Sequence, residues 1–109
     1  MCPIASMMTE SFKNKVALTS NQKTVPTGTA ESIAGSSTPI PNRLGVIVKA
    51  LGENTAAVYI GGNGVTISTG FELNAKEATP SLFVDNVQKI YAISAAAGQK
   101  VCWFVETDG

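Results

Sequence analysis

Gly61-Gly62-Asn63-Gly64 is the stretch of this chain that most invites a chemical reading. A phosphate-cradling glycine loop needs a strand before it and a helix after it, so that the helix N-terminus meets the anion. Here Val65 and Ile67 follow at a spacing of two, and no Lys-Ser or Lys-Thr pair closes the loop. The stretch therefore reads as the turn of a hairpin, with Val58 and Ile60 before it and Val65 and Ile67 after it. Its residues accept positive φ at little cost. Glu72, Glu77 and Asp85 are the carboxylates closest together in that part of the chain. A glycosidase needs two such groups across a cleft, one with its pKa raised by burial. Glu72 is out of phase with Phe71 and Leu73, and Glu77 falls in a turn, so solvated carboxylates are expected. No acidic loop of Asp-x-Asn-x-Asp type is present to hold calcium. The chain has no histidine, which removes the commonest general-base and zinc arrangements. Catalytic residues, cofactors and metal ligands are thus expected to be none, and the protein is read as a non-enzyme.

Tyr59, Phe83, Tyr91, Trp103 and Phe104 offer a different chemistry, an aromatic platform for sugar rings. Trp103 and Phe104 are adjacent on a strand and must face opposite ways. Exposed strand aromatics more often mark protein contacts. A carbohydrate- or receptor-binding module stays as an alternative.

The totals narrow the class further. A chain of 109 residues makes one domain with one modest core. Eight basic and eight acidic residues cancel, and only 15% of residues are charged. Such a surface lacks the basic footprint that holds phosphate backbones, so no nucleic-acid partner is expected. Low net charge also weakens repulsion between copies and suits a homo-oligomer or a larger assembly. Cys102, between Val101 and Trp103, reads as a buried or interfacial thiol rather than as half of a bridge to Cys2. No apolar run is long enough for a membrane span or a secretory signal, so a soluble product made in the cytoplasm is expected, with no membrane partner.

The elements that would position these groups are short strands. Residues 1–14 have neither clean period and form an N-terminal arm. It is a frayed terminus, a segment that docks on a partner through Ile4, Met7, Met8 and Phe12, or a short helix within the domain. Residues 15–109 form a single β-sandwich domain. Val16 and Leu18 alternate in a first strand, and Asn21-Gln22 turns the chain. Thr24, Val25 and Thr27 pair weakly, with Pro26 confining them to an edge. Residues 28–40 are a long loop in which Ile33 anchors a short strand, and Ser36, Ser37, Pro39 and Ile40 are a second candidate contact. Arg43 to Ala50 carries apolar groups on both faces and should be a central strand. Residues 75–78 turn the chain, Leu82–Val84 is a strand, and Asp85-Asn86 is a turn pair. Ile90–Ile93 and Val101–Val105 close the set. About eight short strands with frequent turn signals predict an all-β, antiparallel β-sandwich, jelly-roll-like in its strand count. The expected core is Val16, Leu18, Leu44, Val46, Val48, Val58, Ile60, Leu73, Leu82, Val84, Ile90, Val101 and Trp103.

Residues 43–105 also resemble the short β-domain of small tailed-bacteriophage virion proteins. The resemblance lies in Val46-Ile47-Val48-Lys49-Ala50, in Asn54-Thr55 leading to Val58-Tyr59-Ile60-Gly61, and in Gly64-Val65-Thr66. It continues through Thr69-Gly70-Phe71-Glu72-Leu73, Val84-Asp85-Asn86 and Ile90-Tyr91-Ala92, then Ala97-Gly98-Gln99-Lys100-Val101 before Trp103. Residues 1–40 carry none of it. The resemblance implies a structural role in the virion, at the capsid surface, as a decoration or cement protein. Its partner would be the major capsid protein and its own assembly most often a trimer. A tail, baseplate or head-fibre component is the alternative within the virion.

Overall fold

The computed structural model describes residues 17–40 and 45–107. The 1–14 arm, with Ile4, Met7, Met8 and Phe12, lies outside them, as do Val16 and Leu44. The described residues hold seven strands in chain order: β1 (Ala17–Thr24), β2 (Glu31–Ser32), β3 (Val46–Ala50), β4 (Val58–Gly61), β5 (Phe71–Leu73), β6 (Tyr91–Ser94) and β7 (Lys100–Thr107). Among the described residues a 3₁₀ turn spans Val87–Lys89. Two antiparallel sheets form, a three-stranded one in the order β1-β7-β3 and a four-stranded one in the order β2-β6-β4-β5. They pack face to face as a small β-sandwich.

β7 is the spine of the first sheet. Val101, Trp103 and Val105 alternate inward and are buried, against Ala50, Val48 and Val46 of β3 in register. From the second sheet come Val58, Ile60, Leu73, Ile90 and Ala92. Burying a Val or Leu side chain contributes about 1.5–3 kcal/mol relative to leaving it in water, and period-2 alternation is what delivers that burial from both sheets at once. Polar contacts also join the sheets, among them the Lys23–Glu31 ion pair at 2.7 Å. Trp103 Nε1 donates to the Ile33 carbonyl, 3.0 Å away, just past β2. The chain itself crosses at Val25-Pro26, where Val25 N–H donates to Gln99 O and Pro26 O accepts from Ser94 N–H.

Several expectations are corrected. Asn21-Gln22 is not a turn: both residues sit inside β1, opposite Trp103 and Cys102. Leu18 is not core. Its register opposite Glu106 turns it outward, and it is 68% exposed. Val65–Ile67 is not a strand. The Thr66 N–H donates to Thr69 Oγ1 at 3.0 Å, and the Gly70 N–H to Thr66 O at 2.9 Å. Such local side-chain bonds compete with a ladder and win here. The strand that pairs with β4 is instead β5, with Val58 opposite Leu73.

Leu82–Val84 is not a strand either, although it lies beside one. Residues 76–82 run along the open edge of β3. Ala50 N–H donates to Glu77 O, Thr79 N–H to Val48 O, and Val46 and Leu82 exchange a pair of bonds. Four residues, Thr79 to Leu82, thus oppose three on β3, Val46 to Val48, which is a bulge. Pro80 sits in it, where the missing N–H costs no ladder bond, and the Val48 N–H takes the Thr79 hydroxyl instead.

Candidate docking surface

The bulge at Pro80 determines which way the next residues point. Leu82 and Val84 pack against the core, so Phe83, between them, turns to solvent and is 70% exposed. Gly45 supports that placement. It sits at φ 88°, where only glycine is unstrained. A Cβ there would stand 3.0 Å from Ser81 Oγ and 3.4 Å from Phe83 Cε1. Facing Phe83 is Phe71, the first residue of the edge strand β5, which projects past the core and is 58% exposed. Both rings line an apolar groove of about 530 Å³, together with Ile60, Thr79, Ser81, Leu82, Lys89 and Ile90. The groove is built from aromatic and aliphatic groups with few polar ones.

The groups singled out for chemistry go elsewhere. Gly61 ends β4, and Val65 folds back onto it, so that a Cβ at Gly61 would meet Val65 Cγ2 at 2.6 Å. The glycine cluster is a turn closed over an apolar side chain. Glu72 lies beside Tyr59, whose hydroxyl donates to it at 3.3 Å. Loss of solvent, then the Glu72 charge and this hydrogen bond, hold the Tyr59 phenol above its ordinary value. Glu77 accepts from the Asn74 N–H at 2.7 Å and closes the turn at Lys76. Asp85 pairs with Lys89 at 2.9 Å. Each carboxylate is thus engaged with a local partner. Among the described residues no three His, Cys, Asp or Glu side chains converge as a metal site.

The aromatic residues do not form one platform. Trp103 is in the core. Phe104 is on the outer face of the three-stranded sheet, Tyr59 and Tyr91 lie on the four-stranded one, and Phe83 flanks the groove.

No protein-family model, curated protein or solved structure matches the chain. The site is therefore read from its own geometry.

The second candidate contact is divided. Ser36, Ser37 and Pro39 are exposed, but Ile40 is 4% exposed and belongs to the core. The reason is Asn86. Its Oδ1 accepts from the Thr38 and Gln88 N–H groups, and its Nδ2 donates to Ser37 Oγ. Ile40 N–H donates to Asp85 O, and Val87 N–H to Thr38 O. The loop is held along residues 85–87 and Ile40 is drawn inward. The groove itself was not foreseen, although Phe83 out of phase between Leu82 and Val84 carried the signal for half of it. Phe71 gave none, since it shares the phase of buried Leu73 and is exposed only because β5 is short and at an edge.

Proposed function

We propose that this protein is a non-enzymatic virion structural protein of the capsid decoration or cement type, seated on the assembled head through the Phe71–Phe83 groove. One observation carries the docking role. Two phenylalanines that stand largely in solvent line an apolar groove, and contact cores are enriched in aromatic residues and depleted of charge. The virion setting rests on the resemblance of residues 43–105. A protein that binds only the assembled shell stabilises it by mass action, and many copies multiply the effect.

Copy number in purified particles tests the reading, by quantitative mass spectrometry against the major capsid protein. A ratio approaching that of the capsid protein supports decoration. A few to a few dozen copies assign the protein to the tail, baseplate or a head fibre. Absence from particles overturns the virion role altogether.

A further inference from the structure

The outer face of the three-stranded sheet carries a knob and a hole on one strand. Cys102, Phe104 and Glu106 of β7 face away from the core, next to Lys49 and Ile47 on β3 and to Gln22, Ser20 and Leu18 on β1. Phe104 is 44% exposed, although Trp103 and Val105 on either side of it are buried. Beside its ring lies a depression of about 330 Å³, lined by Gln22, Lys49 and Cys102. Charge on this face is divided by position. Lys49 and Lys100 are towards one end, and Glu106 is at the other.

We propose that this face pairs with the same face of a second copy. The two-fold axis lies in the contact plane, across β7, between Cys102 and Phe104. That operation carries residue 104 onto residue 102 of the other copy, and residue 106 onto residue 100. Phe104 of each copy then enters the depression over Cys102 of the other, and Glu106 meets Lys100. Within one chain Glu106 and Lys100 are six residues apart on a strand, roughly 20 Å, so they cannot pair with each other. A second copy in the opposite sense brings them together, and each contact occurs twice by symmetry.

The footprint sets the strength. Three strands about 4.8 Å apart and some 20 Å long cover a few hundred Å² on each copy, below the roughly 800 Å² per partner of a standard stable interface. The pair is therefore reversible and fills at high local concentration. This inference does not rest on the virion role, because association in solution tests this face and particle copy number tests that role.

Sedimentation equilibrium of the full chain, from roughly 10 μM to 1 mM, reads the association directly. The expected result is a reversible monomer–dimer equilibrium that weakens with salt. Phe104→Ser should abolish it. Glu106→Lys and Lys100→Glu should each weaken it roughly tenfold, since two symmetric pairs turn repulsive. The double variant carrying both reversals should recover most of the wild-type association. Trp103 fluorescence checks that each variant keeps its core. A chain monomeric at 1 mM overturns the proposal, as does a trimer, or a double reversal no better than either single one.

Discussion

Gln99→Ala is the perturbation whose cost can be worked most fully. Gln99 is 3% exposed, in the turn between β6 and β7. Its Oε1 accepts from the Thr55 N–H at 2.8 Å and the Ala56 N–H at 3.0 Å. Its Nε2 donates to Thr55 Oγ1 at 3.2 Å and to Ala97 O at 3.0 Å. The side chain thus replaces a backbone ladder between the segment leading to β4 and the turn leading to β7. Alanine orphans two donors and two acceptors. A fully buried orphan costs about 1–3 kcal/mol. Thr55 is exposed and Ala56 half-buried, so water recovers part of that, and a total loss of about 2–4 kcal/mol is expected. In a domain of this size each kcal/mol lowers Tm by about 4–8 °C. Urea titration and calorimetry should show that loss with the m-value unchanged. Thr55→Ala alone removes only one hydroxyl, and the cycle with Gln99→Ala should give a coupling of about 0.5–1 kcal/mol. A Gln99→Ala loss below about 0.5 kcal/mol, the range of an ordinary surface change, would refute the argument that this amide joins the two segments.

Three further outcomes follow from the same structure. Phe83→Ser and Phe71→Ser should each change stability by about 0.5 kcal/mol or less, as exposed substitutions do, while lowering occupancy on purified particles; full occupancy would remove the groove from the contact. Ile40→Ala should cost about 2–4 kcal/mol in chemical denaturation, whereas Leu18→Ala should fall within about 0.5 kcal/mol, reversing the ranking read from alternation alone. Tyr59 should ionise above the ordinary phenol range in a phenolate absorbance titration, and Glu72→Gln should lower that midpoint. Because its folded pKa is raised, its contribution to stability is complete below the unfolded value near pH 10 and is lost as pH rises through the folded one.

Periodicity located the central strands because burial on a sheet face follows a period of two wherever a strand has neighbours on both sides. Val46 and Val48, or Val101 and Trp103, could face only one way. The same reasoning failed at β1. As an edge strand it sets no phase of its own, and β7 pairs Leu18 with Glu106, putting it outside. At Val65–Ile67 alternation was present, but two threonine hydroxyls satisfied the backbone locally, and a turn replaced the ladder. Nothing in the residue pattern gave the phase of the bulge at Pro80, so the irregular edge along β3 was not legible, and of the groove beyond it only the Phe83 side was. Val25, Val87 and Val105 were missed too. Val25 and Val87 are buried at a crossing and a cap that carry no period, whereas Val105 shares the phase of Val101 and Trp103 and is buried against Val46.

The two apolar surfaces are made by different residues on different parts of the sandwich. Phe71 and Phe83 flank the groove at the irregular edge of β3, while Phe104 stands on the outer face of β7. Occupying one leaves the other open. In the roles proposed for them, a pair joined through Phe104 presents two grooves at a fixed separation. Once one groove is seated, the second binds at an effective concentration set by the pair rather than by the solution, provided the support repeats at the same spacing. Each contact can then be individually weak. A chain with no net charge suits such an arrangement physically, because copies crowded on one support do not repel through long-range charge. Specificity would come instead from shape and from local pairs such as Glu106 with Lys100, whose reach is limited to about one Debye length.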